Sequence, residues 1–108
     1  MTLNSSTLHL VAKVDQIVDD QPIQVKVGNL ILALYRVREK IYATAGICTH
    51  QHAFMAQGYQ EEDEIECPLH QARFNICTGK ALTAPANQDL AVYPVQVDGD
   101  NVYVEITS

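Results

Sequence analysis

At 108 residues the chain has room for one modest core and none for a second catalytic domain. Apolar residues make up 47%, which excludes a disordered chain, and a net charge of -6 with only 7 Lys plus Arg leaves no basic face for nucleic acid. The longest apolar stretch, Leu30–Tyr35, is far too short to span a bilayer.

In chain order, Met1–Thr7 lacks a basic region followed by an apolar core, so no secretory signal is expected. Leu8–Ala12 reads as a first strand, followed by a turn or short helical piece around Val14–Ile17. Ile23, Val25 and Val27 alternate with Gln24 and Lys26, the pattern of a half-buried strand. Gly28-Asn29 is a turn pair, Leu30–Val37 an apolar and β-branched strand, Arg38-Glu39-Lys40 a polar turn and Ile41–Ala45 the returning strand. The section from 46 to 90 shows no clear periodicity. Alternation then returns at Tyr93, Val95 and Val97, a turn is expected at Asp98-Gly99-Asp100-Asn101, and Val102, Val104 and Ile106 share one face. No segment carries a useful helical stripe. Together these predict an antiparallel β-sandwich or small barrel with functional loops mounted in its middle.

Two short motifs lie in that middle section. One is Cys48-Thr49-His50 and the other Cys67-Pro68-Leu69-His70, with 16 residues between His50 and Cys67. Each supplies one thiolate and one imidazole. Two loops meeting at their tips would gather Cys48, His50, Cys67 and His70 around metal. A [2Fe–2S] cluster fits this set, with Cys48 and Cys67 on an inner iron and His50 and His70 on an outer one. Neutral imidazoles in place of two thiolates remove negative charge and raise the potential. Zinc also accepts two Cys and two His, although its sites favour Cys-x₂₋₄-Cys and His-x₃₋₅-His pairs over the mixed pairs here. Three cysteines cannot all pair, which argues against a disulfide framework and for metal or redox chemistry in a reducing cytoplasm.

The stretch CTHQHAFMAQGYQEEDEIECPLHQARFNICTGKALTAPA resembles the cluster-binding region of Rieske ferredoxins. In particular it resembles the ferredoxin components of multicomponent aromatic-ring-hydroxylating dioxygenases of the naphthalene dioxygenase type. LALYRVREKIYAT before it and YPVQVDGDNVYVEI after it fit the same pattern. The resemblance implies an all-β fold, a Rieske-type antiparallel β-sandwich with a cluster-binding subdomain of two loops. It implies a single domain over 1–108, with the cluster-binding region at about 46–86. It implies one [2Fe–2S] cluster per chain, held by Cys48, His50, Cys67 and His70. The implied role is that of a cytoplasmic carrier, not an enzyme. It would take single electrons from a flavin-containing, NADH-dependent ferredoxin reductase and deliver them to a terminal Rieske oxygenase, with no nucleic acid or membrane as partner. One departure stands out: family members often have Gly after each ligand histidine, and Gln51 and Gln71 stand there.

The resemblance also bears on the potential. Respiratory Rieske proteins carry an extra cysteine in each loop, and the matching positions are Ala53 and Leu69, so no bridge between the loops is expected. Those high-potential proteins also carry a serine and a tyrosine that donate hydrogen bonds to sulfur. Ala72 and Phe74 match these positions and have no donor. The expected potential is therefore at the low end of the Rieske range, on the order of -150 mV.

The remaining residues read more plainly. Cys77 is expected to be a small buried residue beside Phe74 and Ile76. His52 is either on the docking surface or a loop residue, and His9 is a strand residue. Glu61-Glu62-Asp63-Glu64 is expected to be a solvated hairpin turn, with steering of a basic reductase as an alternative that can hold at the same time. Ala84-Pro85-Ala86 resembles the proline loop that covers the cluster, and Phe54 and Met55 are either an opposing apolar wall or plain core. Two other functions compete with the carrier: a small subunit of a nitrite-reductase-type enzyme, and a zinc-stabilised binding module.

Overall fold

Period-two alternation in the sequence becomes antiparallel pairing in the computed structural model, which describes residues 6–47, 53–68, 72–83 and 88–107. The strands are β1 (Ser6–Lys13), β2 (Ile23–Val27), β3 (Leu30–Val37), β4 (Lys40–Ala45) and β5 (Tyr59–Glu61). They continue as β6 (Glu64–Glu66), β7 (Arg73–Asn75), β8 (Val92–Tyr93), β9 (Val95–Asp98) and β10 (Asn101–Thr107). Among the described residues two 3₁₀ turns occur, at Val14–Gln16 and Met55–Gln57. A base sheet runs β1-β10-β9, a central sheet β2-β3-β4-β8, and a small sheet β5-β6-β7.

The unbroken apolar run of β3 has a structural cause. Leu32 and Leu34 pack with Ala12, Ile17, Ala43, Val102 and Val104 in the core shared with the base sheet. Ala33, Tyr35 and Val37 point the other way, into a core with Met55, Ile65, Cys67, Phe74 and Ile76. Where a strand is covered on both faces, successive positions are apolar, and the one charged residue of β3, Arg36, donates to the Ile17 and Val14 carbonyls. Fully burying one such Val, Leu or Ile stabilises the fold by about 1.5–3 kcal/mol. The fold is thus the expected antiparallel sandwich, with a third layer added where only two loops were expected.

Three details differ from the sequence reading. Lys40 belongs to β4, so the β3–β4 turn is only Arg38-Glu39, both at positive φ (49° and 72°). A two-residue turn with both centres at positive φ has the twist that matches a hairpin. Tyr93, Val95 and Val97 do not form one strand. The chain changes sheets at Pro94: Tyr93 pairs with Ala43 of β4, and Val95 with Val104 of β10. Proline has no N–H for either ladder, while its carbonyl accepts the Glu105 N–H at 2.9 Å. The section expected to lack periodicity holds β5, β6 and β7. No helix among the described residues is long and apolar enough to cross a membrane.

Candidate metal centre

β6 delivers Cys67 to the inner side of the small sheet. The side chain is fully buried, at 0% exposure, among Ala53, Met55, Ile65, Ala72 and Phe74. The Cys67 N–H donates to the Ala72 carbonyl at 2.7 Å, which fastens the root of the segment that carries His70. A second root lies in the same core. Ile47 pairs with Phe54, and the Met55 N–H donates to the Gly46 carbonyl at 2.8 Å, closing the segment that carries Cys48 and His50. Ala53, at the end of that segment, is in the same buried cluster as Cys67 and Ala72.

Cys48, His50 and His70 lie outside the described residues, as do Gln51, His52, Leu69, Gln71 and Ala84-Pro85-Ala86. Of the four expected ligands, Cys67 is the one whose placement is described. The donor chemistry fits the expected cluster: a soft thiol in an apolar core, beside the fastened root of a second Cys/His segment. Ala72 and Phe74 are fully buried and bring no hydroxyl, so neither side chain offers a hydrogen bond to a sulfur.

A third segment is anchored to the same sheet. The Leu82 N–H donates to the Arg73 carbonyl at 2.8 Å, and the Arg73 N–H donates to Thr83 Oγ1 at 3.0 Å. On the far side, the Ala81 N–H donates to Asp89 Oδ1 at 2.8 Å and the Leu90 N–H to the Gly79 carbonyl at 2.7 Å. Gly79 sits at φ 79°, and a Cβ there would meet the Leu90 carbonyl oxygen. These bonds hold both ends of the segment that resembles a proline cover.

Several residues at the site carry roles that the sequence reading did not assign. Arg73 reaches across the outer face of the small sheet to Glu64 at 3.0 Å, Glu66 at 3.1 Å and Glu61 at 3.8 Å. The hydrogen bond to Glu64 is the main reason its guanidinium holds its proton more tightly than an ordinary arginine, against the opposing effect of burial and with added help from Glu66. The acidic run is the expected hairpin turn, with Glu62 at φ 55°, but Glu61 and Glu64 pair with Arg73, and Asp63 lies 3.9 Å from Arg38. Asn75 accepts the N–H groups of Cys77 and Thr78 at 2.9 and 3.0 Å, an Asx turn that an Asn ahead of Thr78-Gly79 signals. Cys77 is half-buried, not enclosed, because it stands in that turn one residue past the buried Ile76. Its thiol bonds the Tyr42 phenol and, with a smaller contribution from burial, raises that phenol above its usual range. Met55 is plain core, and Phe54 is partly buried in its bridge with Ile47.

Comparison with known proteins agrees with this geometry. Residues 7–94 match the model of the Rieske [2Fe–2S] domain family. The ferredoxin component of the naphthalene 1,2-dioxygenase system of Pseudomonas putida is 47% identical over 91 residues, covering 84% of this chain and 88% of that one. A ferredoxin of Sphingomonas yanoikuyae B1 superposes with a TM-score of 0.89 at 31% identity, over 93% of this chain and 99% of that one. The ferredoxin in a complex of reduced oxygenase and oxidized ferredoxin of carbazole 1,9a-dioxygenase gives a TM-score of 0.84 at 37% identity, over 89% and 99%.

Proposed function

Because the chain belongs to the Rieske [2Fe–2S] domain family, we propose that it is the ferredoxin component of an aromatic-ring-hydroxylating dioxygenase system. In this role it is a carrier and not an enzyme. It takes single electrons from a flavin-containing, NADH-dependent reductase and passes them to a terminal Rieske oxygenase. The oxygenase half of that reading is supported by the likeness to the ferredoxin of the carbazole dioxygenase complex. Residues 1–108 act as one domain, with the ligand region at about 46–86, in the cytoplasm.

Cys48, His50, Cys67 and His70 would hold the cluster, one per chain. When bound, a [2Fe–2S] group with two thiolates and two imidazoles supplies a reversible one-electron site. The observation that carries this reading is the buried Cys67, its N–H on the Ala72 carbonyl, in one core with the root of the Cys48–His50 segment. The chain's own residues do the rest. Met55, Ile65, Ala72 and Phe74 exclude water around Cys67. The lack of hydroxyl donors at positions 72 and 74 leaves added negative charge little stabilised, which supports a potential on the order of -150 mV.

The test uses anaerobically purified full-length protein. Iron and inorganic sulfide in equal amounts, a red-brown colour and a Rieske EPR signal after dithionite reduction are expected. Colourless, zinc-loaded protein would replace this reading with that of a zinc module. In the His70→Cys variant a thiolate replaces a neutral donor, so a cluster that assembles should have a lower potential. An unchanged spectrum and potential would show that His70 is not a ligand.

A further inference from the structure

The outer face of the small sheet sets one cation among carboxylates. By register, Tyr59, Glu66 and Arg73 lie side by side, as do Glu61, Glu64 and Asn75, while Gln60, Ile65 and Phe74 form the opposite face. Arg73 is the only cation on that outer row among the described residues. Its guanidinium uses three nitrogens: Nη1 for Glu64, and Nη2 and Nε for a single oxygen of Glu66. Its backbone N–H and carbonyl fasten residues 82 and 83.

The position matters because of what stands beside it. Glu66 immediately precedes Cys67, and Arg73 immediately follows Ala72, whose carbonyl receives the Cys67 N–H. Both charges are therefore one residue in sequence from the pair that anchors the buried thiol, on the outer face of the sheet with the thiol on its inner side. A carboxylate near an electron-accepting group disfavours the added electron, and a guanidinium favours it.

We propose that the charge of Arg73 tunes the potential of the electron-transfer site. By offsetting Glu64 and Glu66 beside Cys67, it keeps the potential of the bound cluster higher than the acidic hairpin alone would set it. The inference rests on the ligand assignment above.

The test is an EPR-monitored redox titration of full-length, cluster-loaded wild type, R73Q, R73K and E66Q at low and high salt, with the melting temperature recorded for each. R73Q should have a more negative midpoint than wild type, E66Q a more positive one, and R73K, which keeps the charge, should stay with wild type. The shifts should shrink at high salt, because exposed charges are screened. A purely structural role would lower melting temperatures without ordering the midpoints by charge. A wild-type midpoint in R73Q at low salt, or R73Q and E66Q moving in the same direction, overturns the proposal. Should R73Q load no cluster, E66Q decides: a positive shift supports the proposal and an unmoved midpoint overturns it. Wild-type protein lacking iron and sulfide would instead remove the ligand assignment, a result visible before any titration.

Discussion

Replacing Thr44 with valine should destabilise the protein more than replacing Tyr35 with phenylalanine, although both changes remove the same hydrogen bond. Both residues are fully buried, and their hydroxyl oxygens are 2.8 Å apart. Thr44 Oγ1 also donates to the Ala45 carbonyl at 2.9 Å. A threonine has one hydroxyl hydrogen, so the bond between the pair must use the hydrogen of Tyr35. Burial holds that phenol well above the usual tyrosine range, against the opposing effect of Thr44, so it stays protonated and needs an acceptor. In Tyr35→Phe, Thr44 keeps its own bond to Ala45, and the loss is one net hydrogen bond of about 1 kcal/mol. In Thr44→Val the phenol hydrogen is stranded, which adds about 1–3 kcal/mol. The double variant has no stranded donor but lacks the Thr44–Ala45 bond, so it should lie between Tyr35→Phe and Thr44→Val. Thermal unfolding of the loaded protein, anaerobic and at one scan rate, resolves these differences. For a domain of this size 1 kcal/mol is about 4–8 °C, so Thr44→Val should lose about two to four times the shift of Tyr35→Phe. The reasoning fails if Thr44→Val melts no lower than Tyr35→Phe, or if the double variant shows the sum of the two losses.

Two further outcomes follow from the same geometry. Gly79→Ala should lower the melting temperature, since φ 79° alone costs an L residue about 1–2 kcal/mol and the new Cβ meets the Leu90 carbonyl; an unchanged melting temperature would mean the two segments are not in close approach. The Tyr42 phenol should titrate above the ordinary value seen in the unfolded chain, so its contribution to stability is fully present below about pH 10 and is lost as pH rises through the folded value. In Cys77→Ala an ultraviolet titration should show Tyr42 returning toward that ordinary value, and no change would remove the thiol as the cause.

The long strands of the two larger sheets were legible because alternation has room to repeat in them. Ile23, Val25 and Val27 in β2, and Val102, Val104 and Ile106 in β10, each offer three apolar positions on one face. The small sheet was not legible for the opposite reason. β5, β6 and β7 are 3 residues each, and their inward positions are Gln60, Ile65 and Phe74, one per strand, too few to set a period. The break at Pro94 was hidden by an alternation that runs through it, although a proline inside a strand pattern is itself the signal. At the site, Cys67 was legible as chemistry because thiolate and imidazole spacing is a local property. The grip of Arg73 on Glu64 and Glu66 was not, because it depends on the register of β6 against β7.

The handover of the chain at Pro94 also bears on aggregation. The outer edge of the central sheet is β8, which has only 2 residues and is followed by a residue with no hydrogen to donate. Exposed strand edges invite foreign chains to add on, and a short edge closed by proline gives an intruder almost no ladder to extend. Along this edge the chain is thereby protected from sticking to its own kind.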